Sequence, residues 1–256
     1  MEGQVNLLGV TIELASAEEA LVKTQELLED TGRHTIRFVG TKACTLASEN
    51  EECARLIAES DYVLPAGLST EQGIKELVEG YREVFWHRDY FDALFKRAAE
   101  ESKELYFVTS TTKKYQSIAD SIHADFPYLS IHGKALEELD GAEIYHTLAN
   151  DINAIAPDIL FFYVGVEKQN ELIVSCQDLI NASLLICGHG MLDDMIETPV
   201  PLPEEASALE KKFFTSVVNF FKKLHTTIVG ALFKKRVKDS RRDEQNGNEE
   251  SLENHD

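Results

Sequence analysis

Several short stretches of the chain set reactive or anion-binding side chains beside residues that break regular structure. Gly188-His189-Gly190 holds an imidazole between two glycines, directly after the apolar run Leu184–Cys187. Glycine lets the backbone approach a ligand, and an imidazole can donate to a phosphate or move a proton near neutral pH. The alternative is a tight turn with an exposed histidine. Asp193 and Asp194 follow closely enough to belong to the same place. Thr109-Ser110-Thr111, continued by Thr112, sits between an apolar run and a helical pattern. Hydroxyls and free N–H groups at such a helix start can hold a diphosphate, or serve only as an N-cap. Lys168-Gln169, just past Gly165, opens another helical pattern as a ligand contact or a solvated helix start. Trp86-His87-Arg88-Asp89 joins the only tryptophan to a base, a guanidinium and an acid. Arg88 can grip a diphosphate bidentately, and Asp89 can equally be a helix N-cap. His123 and His132 read as surface or strand-end residues.

Other chemistries are excluded. No Ser-His-Asp order, nucleophile elbow, P-loop or G-x-G-x-x-G occurs, so a dinucleotide is not expected. Cys44, Cys53, Cys176 and Cys187 are scattered and form no C-x-x-C pair, which predicts buried, reduced thiols, no metal site and no cofactor.

The scaffold for these groups follows from apolar periodicity. Short apolar runs at 36–40, 62–64, 105–108, 129–131, 159–164 and 184–187 read as strands. Helical patterns lie between them. Ser16 and Glu19 make a capping box for 17–28, which Gly32 ends, and Ser69 with Gln72 repeats that pattern for a helix to 79. Others cover 42–48, 51–60, a stretch opened by Asp89, 112–124, 144–155 and 168–179. This β-then-α order predicts an α/β fold: a doubly wound, mostly parallel, Rossmann-like sheet with 159–164 central because it is apolar on both faces. Pro199, Pro201 and Pro203 mark 199–205 as a linker between an α/β domain over 1–198 and a helical appendage over 206–240. The acidic stretch 241–256 reads as disordered.

Charge is unevenly spread. The 256 residues carry a net charge of −20, which argues against general nucleic-acid binding. Between Lys211 and Arg242, however, ten basic residues face one acid, a local charge of +9. Phe213, Val217, Phe220, Phe221, Leu224, Ile228, Ala231 and Leu232 recur there at helical spacing, with Lys222, Lys223, Lys234, Lys235 and Arg236 between or beyond them. A basic amphipathic helix of this kind can lie on an anionic membrane surface. The alternatives are a helix packed on the body or one that binds a protein partner. The start of the chain has no basic region followed by an apolar core, so no export signal is expected. The longest apolar stretch, Ile159–Val166, is far too short to span a bilayer.

Several segments, in order, resemble the WecG/TagA/CpsF family of bacterial glycosyltransferases. Asn6–Ile12 is similar to that family's start. Asp61-Tyr62-Val63-Leu64-Pro65-Ala66-Gly67 resembles its "ADLVLPDG", and Asp89–Glu100 its "G-x-D-L-F" helix. Phe126–Gly133 resembles "YPGLRIVG", and Ala156–Leu160 with Gly165–Gln169 resembles "ADILLVGLGAPKQE". The resemblance implies metal-independent, inverting transfer of an N-acetylhexosamine from a UDP-sugar to an undecaprenyl-diphosphate-linked, polyprenyl-type acceptor. The expected place is the cytoplasmic, inner face of the cell membrane, with the protein held there peripherally by its basic appendage. Gly165 and Gln169 would then contact the donor. The family's aspartate, the expected general base, is replaced here by Ala66, which cannot accept a proton. The "T-x-N" triplet has become Val39-Gly40-Thr41, and "PKQE" has become Glu167-Lys168-Gln169-Asn170. The resemblance therefore places a catalytic centre around Thr41 and Ala66, with His87 or Asp89 as a replacement base. A catalytically silent relative that binds the sugar nucleotide, the lipid-linked glycan, a second copy or an active transferase partner is the alternative.

Overall fold

Along the central strands, alternate residues point to opposite sides of one sheet, and both sides are apolar. Ile36, Phe38, Leu105, Phe107, Ile159, Phe161, Leu184 and Ile186 pack into one buried cluster. Tyr106, Val108, Leu160, Phe162, Leu185 and Cys187 pack into another on the opposite face. This is the pattern of strands covered by helices on both faces. In the computed structural model, which describes residues 3–81, 87–139, 143–193, 195–196 and 227–242, these runs form a six-stranded sheet.

The chain runs β1 (Gln4–Leu7), β2 (Val10–Glu13), α1 (Ala17–Glu29), β3 (His34–Val39), α2 (Thr41–Glu49), α3 (Glu51–Ala58), β4 (Tyr62–Pro65) and α4 (Leu68–Leu77). It continues with α5 (His87–Glu100), β5 (Glu104–Thr109), α6 (Thr112–Asp125), β6 (Ser130–Ala135), α7 (Ile144–Ile155), β7 (Ile159–Tyr163), α8 (Val166–Cys176) and β8 (Leu184–Cys187). A further helix, α9, covers 227–242. The large sheet has the order β4-β3-β8-β7-β5-β6, and every pairing in it is parallel. The expected doubly wound α/β fold is what forms, with β7 in the interior. Phe107 and Phe161 stack across β5 and β7 at 4.3 Å between ring centroids.

Four features differ from the sequence expectations. First, β1 and β2 make an antiparallel hairpin outside the large sheet. Its turn uses positive φ at Leu8 and Gly9 (55° and 85°), and the Asn6 side chain accepts from the Gly9 amide at 2.9 Å. Leucine at the first of those positions hides the turn signal, which favours Asn, Asp or Gly. Second, α4 is not capped by Ser69. It starts at Leu68, two residues earlier than a Ser69 cap would set, after Gly67 at φ 79°, and Gly67 supplies the backbone oxygen for the first turn. Third, α5 already runs from His87, with Asp89 inside its first turn, where a carboxylate still favours the free N–H groups. Fourth, α9 packs on the body. Phe233 and Val237 are buried with Val5, Leu7 and Ile74.

The capping box of Ser16 and Glu19 is present on α1. All four cysteines are buried and free. Burial pushes the Cys44 thiol up to about 12 and the Cys187 thiol to about 11. The linker 199–205, the appendage residues up to 226 (among them Lys211, Lys212, Lys222 and Lys223), the tail beyond 242, Trp86 and Asp194 lie outside the described residues. No helix among the described residues is long and apolar enough to cross a membrane.

Candidate functional site

Parallel strands deliver their following loops to one edge of the sheet, and ligands of such sheets bind in the crevice outside the carboxyl ends of the strands. Here the ends of β3, β4, β7 and β8 open into a cleft of about 440 Å³. Gly40 and Thr41 reach it from β3, Ala66 and Gly67 from β4, Gly165 and Gln169 from β7, and His189 from β8. The first two loops are stitched together, since the Ala66 amide donates to the Val39 carbonyl at 2.9 Å. At residue 66 the wall presents a methyl group.

Several polar groups in the cleft are anchored by neighbours in or beside it. Gln169 is buried on the first turn of α8, and its Nε2 donates to the Val164 carbonyl at 2.6 Å, which fixes the loop before it. Lys42 on α2 and Glu167 on α8 form an ion pair at 2.7 Å across the mouth. The lysine, hydrogen-bonded to Glu167, holds that carboxyl below its ordinary range. The His189 ring stacks on Tyr163 at 6.2 Å between centroids. Loss of solvent on that side, followed by the repulsion of Lys114, holds the imidazole below its ordinary pKa of 6.5, so it is neutral at pH 7. The Tyr163 hydroxyl donates to Asp193, and Lys114 lies over the same ring at 4.3 Å. Arg37 also lines the cleft.

The other candidates stand elsewhere. Thr111 caps α6 by accepting from the Lys114 amide. The Thr112 amide and hydroxyl donate to Glu137 and Glu138, each at 2.7 Å. Thr111 is thus the helix cap, the Thr109 hydroxyl donates to the Thr111 carbonyl at 3.0 Å, and two carboxylates bonded to Thr112 stand beside them. Gly188 is packed rather than open, because a Cβ there would lie 2.6 Å from the Met191 sulfur. Gly190 adopts φ 79°, which the turn requires. His87 is buried, donates Nε2–H to the Pro65 carbonyl at 3.0 Å and packs on Phe38, so it supports the Ala66 loop from behind. Asp89 is exposed on α5, and Arg88 pairs with Asp92 at 3.4 Å. His123 and His132 bond the Leu129 carbonyl and Glu104 at the strand edge.

Sequence reasoning missed Arg37, Lys42, Lys114 and Tyr163. A cation within an apolar strand was the one signal that could have flagged Arg37.

Thr41, Ala66, Gly165 and Gln169 come from separate parts of the chain and meet in this cleft, which ties the pattern along the sequence to one site. Residues 5–203 match the Glycosyl transferase WecG/TagA/CpsF family. The chain belongs to that family. No curated protein matches it. Among WecG/TagA/CpsF proteins it is a member whose cleft carries Ala66 after β4, Gln169 on the first turn of α8 and His189 after β8, with no group of His, Cys, Asp and Glu among the described residues that could hold a metal ion.

On α9, the basic residues are partly committed. Lys234 and Lys238 pair with Glu76, the latter at 2.9 Å, and Arg236 pairs with Glu49 at 2.7 Å. Lys235 is exposed, as are Ile228 and Leu232.

Proposed function

We propose that this WecG/TagA/CpsF protein binds a UDP-N-acetylhexosamine in the cleft and transfers the sugar, with inversion, to a polyprenyl-diphosphate-linked acceptor. That step belongs to cell-surface polysaccharide or teichoic-acid-type synthesis. The observation that carries the reading is the meeting of Thr41, Gln169 and His189 at the carboxyl edge of the sheet. In the transfer the acceptor oxygen forms a bond to the anomeric carbon, the bond from that carbon to the diphosphate breaks, and the acceptor proton must leave. Ala66 cannot take it. His189 can, because it is neutral at pH 7 and lies in the cleft with Asp193 close by. Gln169 positions the donor, and Lys42 with Lys114 supplies positive charge toward the leaving diphosphate. No cofactor enters the scheme.

The protein works peripherally at the cytoplasmic face of the membrane in this reading. Lys222 and Lys223, which lie outside the described residues, and the exposed Lys235, Ile228 and Leu232 of α9 are the groups that would contact the anionic surface. A second reading, a silent relative that binds the sugar nucleotide or a transferase partner, draws on the methyl group at position 66.

The test is release of UDP from UDP-N-acetylmannosamine in the presence of a lipid-diphosphate acceptor. Acceptor-dependent release supports transfer. UDP binding without release supports the silent relative, and the absence of both removes the nucleotide-sugar reading.

A further inference from the structure

Arg37 stands within β3, a strand buried on both faces, where a guanidinium is out of place. Its side chain is only 1% exposed and lies opposite Cys187 in the pairing of β3 with β8. Nη1 donates to Oδ1 of Asn170 at 2.8 Å. Nε and Nη2 are buried with no hydrogen-bond partner. The neutral amide of Asn170 is thus its one hydrogen-bond partner among the described residues. A buried charge left in this state is costly, and folded proteins normally pair it.

The two free groups are not scattered. Nε–H and Nη2–H leave the same edge of the guanidinium plane and form a side-on fork that matches two oxygens of one oxyanion. Arg37 is among the residues that line the cleft, together with Lys42, and its free edge lies within the wall rather than open to solvent. Two helices also begin there. The nine-residue α2 and the ten-residue α4 start at Gly40 and Gly67 without a capping side chain. Elsewhere α1, α3 and α6 are capped by Ser16, Asn50 and Thr111, while α7 also starts without a capping side chain. Uncapped N-termini favour a group that can accept from several directions at once, which a phosphate does better than a planar carboxylate.

We infer that Arg37 anchors a phosphate group of a nucleoside diphosphate, closing its free edge on two phosphate oxygens, with Asn170 holding the guanidinium from the other edge. Because Asn170 is neutral, it orients the arginine without cancelling its charge. This inference rests on the reading of the cleft as a nucleotide-sugar site, and it adds a residue that the sequence comparison does not single out.

The experiment is calorimetric titration of the full chain with UDP, inorganic pyrophosphate and uridine. It compares wild type, Arg37→Lys, Arg37→Met and Asn170→Asp, each checked for folding by circular dichroism. Lysine keeps the charge and loses the fork, so UDP and pyrophosphate should weaken about tenfold to a hundredfold in both arginine variants. Uridine should bind all four proteins alike. Asn170→Asp leaves Arg37 in place but gives it an internal counter-charge. It should raise the melting temperature of the free protein and weaken both phosphates, whereas a purely structural arginine would show the first effect without the second. Unchanged UDP and pyrophosphate affinities in folded Arg37→Lys and Asn170→Asp would overturn the assignment and leave the cleft reading intact. Arg37-dependent binding of pyrophosphate without UDP binding would keep the anchor and remove the nucleotide. Binding of neither to the wild type would overturn both.

Discussion

Phe233 of α9 seats against Gly73 of α4 so closely that a Cβ built on Gly73 would come within 2.8 Å of its ring. The glycine makes room for the aromatic side chain, and the hairpin residue Leu7 lies beside both. The C-terminal helix is therefore part of the folded body over 227–242. Phe233→Ala should destabilise its attachment by about 3 kcal/mol, the usual scale for emptying a buried aromatic site. Hydrogen exchange should show faster opening of α9 and α4 with little change in β7. Truncation after residue 226 should uncover Leu7 and Ile74 and promote aggregation. A truncated chain as soluble and stable as the full one would contradict the packing.

Glu76 accepts hydrogen bonds from Lys234 and Lys238, which hold its carboxyl below the ordinary 4.5. A carboxyl depressed in the folded state stabilises fully above its unfolded value, and that contribution disappears as pH falls through the folded one. The α9 attachment should accordingly weaken below about pH 4.5. Glu76→Gln should remove this acid-dependent component, and protease sensitivity of α9 between pH 6 and pH 3 reads it out.

His189 should dominate the pH dependence of transfer. Its pKa lies below 6.5, so kcat/KM should rise with pH on the acid side and be level by neutrality. His189→Gln should cost about a hundredfold or more if the imidazole is the base. A residual rate near wild type with an unchanged profile would assign the proton elsewhere, with Asp193 the next group in the cleft.

Ala66→Asp adds a carboxylate to the wall of the cleft. If the missing base alone limits turnover, UDP release should increase at least about tenfold, within the range a general base contributes. No gain, together with retained UDP binding, would favour the silent relative.

Membrane attachment should be peripheral and salt-sensitive. The full chain should co-sediment with anionic vesicles at low salt and dissociate as surface attraction is screened over about 8–10 Å. Ile228→Asp with Leu232→Asp alters only the exposed side of α9, where these residues are 51% and 65% exposed, and should weaken binding without unfolding the protein. Equal sedimentation of wild type and variant would take these two residues out of the contact.

Fold class and the six strands of the large sheet were legible in local pattern, but the β1–β2 hairpin was not. Ile159–Tyr163 is apolar at every position and became an interior strand, while Ser16 with Glu19 announced α1 through chemistry confined to four consecutive residues. The segments resembling the WecG/TagA/CpsF family also pointed to Ala66 and Gln169 before any contact was known. Local pattern alone did not decide what each surface meets. Thr111 has the same hydroxyl whether it cradles phosphate or caps a helix, and the folded chain shows it accepting from the Lys114 amide while Glu137 and Glu138, brought in after β6, bond Thr112. The apolar stripe of α9 is equally suited to lipid or protein, and Gly73 with the unforeseen β1–β2 hairpin supplies its partner. Arg37 shows in the sequence only as a lone cation in an apolar run, and β8 and α8 must close over it before one edge of its guanidinium is left unpaired. Periodicity depends on neighbours a few residues apart, whereas burial and side-chain hydrogen-bond partners depend on groups more than a hundred residues away, as Asn170 is from Arg37.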